Sequence, residues 1–211
     1  GVGDASEIKT TLPITIIQIG GSYNKIANLK LFGGDVGLNF AGVTGPCVNN
    51  AVVDVSTWQA QTGILLDGGA DTGKPVYWNN FTRVLVAQPF INGIHLKRSG
   101  AGDTPNANRF TQCRVYSLGA TTSGHGVYVE EGSFNNSFTD FEANVNTTAQ
   151  ACVRCGFGSN KTIFVNLYTE SHGGVPNVRL DAGSIETAIY NLLSASDGSA
   201  IWDFSGGNYT A

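Results

Sequence analysis

Hydrophobic and polar positions along this chain recur in short alternating blocks, none long enough for an amphipathic helix. The most regular block reads Gly-Ile-x-Leu: Gly37-Leu38-Asn39-Phe40, Gly63-Ile64-Leu65-Leu66, Gly93-Ile94-His95-Leu96 and Gly126-Val127-Tyr128-Val129, with degenerate copies at 152–155, 177–180 and 201–204. Its first apolar position falls at residues 38, 64, 94, 127, 153, 178 and 202. A second block, apolar-x-polar-apolar, begins at Ile26, Val52, Phe81, Phe110, Phe138, Phe164 and Ile189 and keeps the same period. Two motifs in phase, with the length variation confined to the segment between them, describe a coil with one variable loop per turn. A period of two within each block makes it a strand. Gly, Asn, Ser and Thr break every stretch that could form a helix between strands, which excludes an alternating α/β fold.

These elements predict an all-β solenoid in which each turn lays short parallel strands on the next, about 4.8 Å away. Alternation sends Ile64 and Leu66, Ile94 and Leu96, and Val127 and Val129 inward, and makes one internal column of Phe81, Phe110, Phe138 and Phe164. The polar position two residues after that column (Asn28, Asp54, Gln112, Asp140, Asn166 and Asn191, with Arg83 the exception) is expected to form an internal ladder at a tight bend, so that Asp140 is structural first. One domain is expected: a lead-in over 1–12, stacked turns over 13–208 and a truncated end at 209–211.

Composition narrows the partners. At 211 residues the chain holds one sizeable core, and its formal net charge of −4 comes without dense Lys or Arg clusters. Nucleic acid and anionic membrane, which require such clusters, are therefore not expected partners. There is neither an apolar run of about eighteen residues nor a signal-like N-terminus. The chain contains no methionine, and the expectation is a processed or excised piece of something longer. Of the four cysteines, Cys152 and Cys155 fall on one strand, where residues three apart point to opposite faces and cannot share a metal. Cys47, Cys113, Cys152 and Cys155 are expected to be small buried core residues. No metal and no cofactor is called for.

The Gly-Ile-x-Leu strands and the polar position at the second bend resemble the right-handed parallel β-helix proteins of the pectate-lyase-like superfamily, over about residues 8–208. The resemblance implies a single-stranded right-handed parallel β-helix of about seven to eight turns. Within that superfamily the stretch Ile16-Ile17-Gln18-Ile19-Gly20-Gly21-Ser22-Tyr23-Asn24-Lys25-Ile26 and the uneven Thr- and Asn-rich loops look most like bacteriophage tailspikes.

Two outward faces carry candidate chemistry. On the first strand, Asn39, Leu65, His95, Tyr128, Arg154 and Arg179 form a stripe beside Asp67, Lys97, Glu130 and Asp181. His95, Tyr128, Glu130, Arg154 and Arg179 make one candidate substrate-binding cluster, to be weighed against a solvated face with ion pairs such as Glu130 with Arg154. Gly124-His125-Gly126 matches the Gly-His-Gly of polygalacturonases, but the aspartates and Arg-x-Lys that complete that signature are missing, which leaves His125 as a polar loop residue. On the third strand, Glu142 and Glu170 lie on neighbouring turns, two residues apart along the strand. That geometry separates them by roughly 8 Å, inside the ~6.5–9.5 Å window of an inverting glycosidase. They are the candidate catalytic pair. Trp58, Tyr116 and Tyr168 offer flat faces for sugar rings and Arg114 a clamp for an acidic one. A subunit interface would want the same residue types.

The expected function is that of a tailspike-like receptor-binding module: a homotrimer on an extracellular virion tail that recognises a bacterial capsule or O-antigen polysaccharide, with or without cleaving it by glycoside hydrolysis. A free monomeric secreted bacterial polysaccharide lyase or hydrolase, and a non-catalytic shaft or adhesin, are the alternatives.

Overall fold

A computed structural model describes residues 6–69, 73–99, 103–117, 122–196, 201–203 and 209–210, with backbone alone for residue 196 and the last two segments. The described residues form strands and turns without helices, stacked as a parallel β-solenoid of about 7 turns. One sheet has 8 strands, from Thr15–Ile19 through Thr62–Asp67, Asn92–Lys97, His125–Val129 and Ala151–Cys155 to Val178–Leu180 and Ile201–Asp203. The other has 11, running from Ser6–Lys9 through Lys25–Phe32, Ala51–Trp58, Ser137–Asn144, Ile163–Ser171 and Ala188–Ser196 to Tyr209–Thr210. The second and third strands anticipated from sequence are the two halves of this larger sheet. Two turns split them, as Asn80–Thr82 with Leu85–Ala87 and Arg109–Thr111 with Arg114–Tyr116.

Every inter-strand pairing is parallel, and the register joins equivalent motif positions of successive turns, Ile64 to Ile94 and Phe110 to Phe138 among them. The expected columns follow. Phe81, Phe110, Phe138 and Phe164 stack with ring centroids 4.5, 4.7 and 4.8 Å apart and nearly parallel planes, the rung spacing of a parallel sheet. Phe40 and Phe141 close against this stack edge-on. The glycine of Gly-Ile-x-Leu exists because the two sheets nearly touch there: a Cβ on Gly93 would lie 2.5 Å from Val115 Cγ1.

The cysteines are buried core residues as expected, although not by strict alternation. Cys152 occupies the column of Gly126, where the backbone turns its side chain inward, so Cys152 and Cys155 are both fully buried instead of facing opposite ways. Cys152 Sγ donates to Glu170 O at 3.3 Å, and burial pushes both thiols up to about 12. All four cysteines are free and buried, and no group of metal-ligating side chains occurs among the described residues.

The polar ladder also moves. Asn28, Asp54, Arg83, Gln112, Asp140, Asn166 and Asn191 are exposed and have left-handed backbone, with φ between 50° and 58°. They mark an outward bend. Asn191 donates to Asn166 and Asn166 to Asp140, at 2.8 and 2.7 Å, and Arg83 pairs with Asp54. The internal ladder lies four residues earlier, just after a second left-handed column made of Tyr23, Asn49, Trp78, Ala107 and Asn135. There Asn24, Asn50, Asn79, Asn108 and Asn136 form a chain. Asn79 donates both N–H and Nδ2–H to Asn108 Oδ1 at 3.1 and 3.0 Å, and Asn108 repeats the pattern onto Asn136 at 3.0 Å for each. The second amide hydrogen of Asn108 goes to Val76 O at 3.0 Å. In this way the amides satisfy backbone groups that the bend removes from both sheets.

Removing one amide orphans buried donors on the neighbouring turn, each costing about 1–3 kcal/mol. Asn108→Ala is expected to destabilise by at least about 2 kcal/mol in urea unfolding. Gln112→Gly, at the exposed left-handed position, is expected to be neutral or to stabilise by up to about 1 kcal/mol, because glycine does not pay the left-handed penalty.

Candidate functional site

Register fixes which outward side chains meet. On the smaller sheet Asn39, Leu65, His95, Tyr128, Arg154 and Arg179 lie in one column across consecutive rungs. His95, Tyr128 and Arg154 come together as anticipated: the His95 and Tyr128 rings stack at 5.0 Å, and the Arg154 guanidinium lies 4.9 Å above the Tyr128 ring. The ion pairs differ from expectation. Glu130 Oε2 meets His95 Nε2 at 3.0 Å, and Arg154 turns to Asp181, reaching Oδ2 at 2.6 and 2.8 Å from Nη2 and Nε. Arg179 Nε donates to the other Asp181 oxygen at 2.8 Å. One carboxylate thus orients two guanidiniums. Asp181 follows a degenerate copy of the motif, so only the register of that turn brings it beside Arg154.

His125 also departs from expectation. It is the first residue of the strand His125–Val129 and is only 4% exposed. Its Nδ1 lies 3.2 Å from Asn92 Oδ1, its ring packs 4.7 Å from that of Tyr128, and its buried Nε2 has no hydrogen-bond partner. Asn92 Nδ2 lies 3.5 Å from His95 Nδ1, so one asparagine sits between the two imidazoles. Burial pushes the His125 pKa down to about 3, helped by Arg154, His95 and Arg179. Burial also lowers that of His95, against the opposing pull of Glu130. At Asp181 burial acts upward, but the hydrogen bonds from Arg154 and Arg179 win and hold the carboxyl below its ordinary range.

On the second half of the larger sheet, Ser56, Leu85, Arg114, Glu142, Tyr168 and Leu193 share one outward column, and Trp58, Ala87, Tyr116, Asn144 and Glu170 share a second, in which Ala87 and Asn144 are buried. Arg114, Tyr116, Glu142, Tyr168 and Glu170 are brought together. Glu142 Oε1 takes Arg114 Nη2 at 2.9 Å and Asn144 Nδ2 at 2.8 Å, and the Arg114 guanidinium lies 4.9 Å above the Tyr116 ring. Tyr168 donates its hydroxyl to Glu170 Oε2 at 3.4 Å, and His172 Nε2 lies 3.6 Å from Glu170 Oε1. Local desolvation and then the Glu170 carboxylate push the Tyr168 phenol up. Trp58 stands two rungs from Tyr116, with Lys30 Nζ 5.4 Å above its ring. The sequence pattern assigns Asn144 no role. It overlooked His172, which lies just past the motif window, and Lys30 and Phe32, whose turn has a less regular motif.

Compared with protein-family models, curated proteins and solved structures, the chain matches none.

The buried imidazole has a consequence for stability. Unfolded His125 takes a proton near pH 6.5, whereas the folded one stays neutral down to about 3. The unfolded state therefore binds more protons throughout that window, so stability is greatest above pH 6.5 and falls as pH drops. Asp181, with its lowered pKa, adds to the loss at the acid end. Urea midpoints measured from pH 7.5 to 4 should reveal a loss on the order of 3 kcal/mol attributable to His125. His125→Gln should flatten that profile, and an unchanged slope in the variant would refute the assignment.

Proposed function

We propose that this chain is the β-solenoid of a tailspike-like receptor-binding module, carried as a homotrimer on a bacteriophage tail, which binds a bacterial surface polysaccharide and cleaves it by glycoside hydrolysis. The observation that carries the reading is the face built from residues 114–116, 142–144 and 168–172. Over three consecutive rungs it aligns a guanidinium, two phenol rings and two carboxylates on the outside, with the buried Asn144 amide beneath them. A polysaccharide laid along the solenoid axis meets such columns rung after rung, and many weak contacts add up.

The two carboxylates have unlike surroundings, which separates their roles. Arg114 and Asn144 both donate to Glu142 Oε1, holding that carboxylate as a fixed acceptor. That suits it to take a proton from an attacking water. Glu170, flanked by the Tyr168 hydroxyl and His172, is the group assigned to protonate the leaving oxygen. The Tyr116 and Tyr168 rings supply apolar faces for pyranose C–H bonds.

A second reading, a monomeric uronate lyase, is favoured by the other sheet. His95 hydrogen-bonded to Glu130 is a base with its orienting carboxylate, and Arg154 and Arg179, fixed by Asp181, are a clamp for a substrate carboxylate.

Release of reducing ends from a susceptible capsule or O-antigen decides between them. Glu142→Gln and Glu170→Gln are each expected to lower the rate by 10²-fold or more, leaving binding intact. His95→Ala and Arg154→Ala should leave it within a few-fold. The opposite pattern, with unsaturated products, establishes the lyase. Light scattering should give three times the chain mass.

A further inference from the structure

We propose a second saccharide subsite, on a different face, in which the Trp78 indole is the platform and Asn49, Asn80 and Arg109 supply the polar contacts; the inference rests on the polysaccharide-binding reading above. These residues and Ala107 line a surface cavity of about 240 Å³. Trp78 is 54% exposed, although its neighbour Tyr77 covers one edge with ring centroids 5.9 Å apart. Neither packing nor backbone explains a tryptophan at this position. The bend requires left-handed geometry, and Trp78 adopts it at φ 54°. That conformation suits Asn or Gly and is unfavourable for a bulky side chain. Asn49 and Asn135 fill the same column at other turns, Ala107 fills it on the next, and Tyr23 is the other exposed aromatic in it but lies outside this cavity.

The surroundings specify a ligand class. Ala107 has no side chain beyond Cβ, which leaves one side of the indole open over the following rung. Asn80 and Arg109 are in register on that outward face, one rung apart, and both are exposed. Asn80 Nδ2 donates to Trp78 O at 3.2 Å, which fixes the amide and leaves its Oδ1 to accept. Arg109 forms no ion pair with a carboxylate among the described residues. A flat apolar ring bordered by an amide acceptor and a guanidinium donor matches one pyranose, whose axial C–H bonds meet the indole and whose hydroxyls meet the polar rim. A nucleobase would stack equally well, but an isolated Arg in a chain of net charge −4 gives a phosphate backbone nothing to follow.

The test uses the intact chain and a panel of bacterial capsule and O-antigen polysaccharide fragments, with binding read by calorimetry and by the change in tryptophan fluorescence. Trp78→Ala introduces the residue that the next turn already carries, so it should fold with an unchanged circular dichroism spectrum. It is expected to weaken binding of the fragment that the wild type retains by about tenfold. Arg109→Gln should weaken it several-fold, and Trp78→Phe should restore part of the loss. Wild-type binding that persists unchanged in Trp78→Ala overturns this inference and leaves the polysaccharide reading standing. Failure of the wild type to bind any fragment overturns both. A Trp78→Ala chain that binds normally but loses its oligomeric mass makes the indole an interface anchor and likewise overturns the subsite.

Discussion

Each turn of this solenoid has to bury a bend, and a bend removes backbone N–H and C=O groups from the sheets that would otherwise satisfy them. The asparagine ladder from Asn24 to Asn136 meets that requirement. From Asn50 onward each Oδ1 accepts two hydrogens from the turn before, and each Nδ2 also reaches a backbone carbonyl. Because every amide has its partners on adjacent rungs, a slip of one residue would break all of them together. The phenylalanine stack begins two residues later and is held to the same repeat. Hydrophobic burial supplies the bulk of the driving force, and the ladder makes it specific to one register.

Fixed register inside dictates composition outside. Since Arg114, Glu142 and Tyr168 are opposite one another on successive strands, their contacts were settled by the ladder and stack and need no further ordering. The same holds for His95, Tyr128 and Arg154 on the other sheet. Side chains a rung apart stand about 4.8 Å from one another, close enough for an imidazole to stack on a phenol and for Asp181 to hold two arginines. Preorganisation of this kind comes from the scaffold, which is why short strands can present precise polar clusters without loops to support them.

The period, the inward aliphatic columns and the phenylalanine stack were legible in the sequence because they depend on strict alternation between two bends. Errors fell where alternation stops. Asp54, Gln112 and Asp140 were expected inside because counting by twos from the preceding apolar position was carried onto residues whose own left-handed backbone turns them outward, whereas Asn79 and Asn108 precede the motif by two residues. Cys152 and Cys155 are both buried, as expected of core residues, but strict alternation does not put them there, since the glycine column that Cys152 joins points into the gap between the sheets. The two candidate faces were read correctly as columns, yet their pairings were not. Glu130 chose His95 and not Arg154 because Asp181, from a later turn, is within reach of Arg154. Such choices among competing partners depend on side-chain direction and on loop length between turns, neither of which a one-dimensional pattern contains.

The left-handed positions divide labour between fold and surface. Among the described residues, seven of the sixteen non-glycine residues with positive φ are Asn or Asp, the types that tolerate it best. The others include Trp78, Arg83, Lys161 and Glu186, each of which pays a steric cost that the bend imposes whatever the side chain. Packing does not select them, because these four side chains are exposed. Some find compensation in a neighbour on the adjacent turn: Arg83 with Asp54, and Lys161 with Glu186. Among the described residues Trp78 has the edge of Tyr77 as its one ring contact, and it stays 54% exposed. Strain that a fold requires at a position is no sign of function. Tyr23 in the same column is also an exposed, left-handed aromatic, so what separates Trp78 is the cavity it lines with Asn80 and with Arg109 on the next rung.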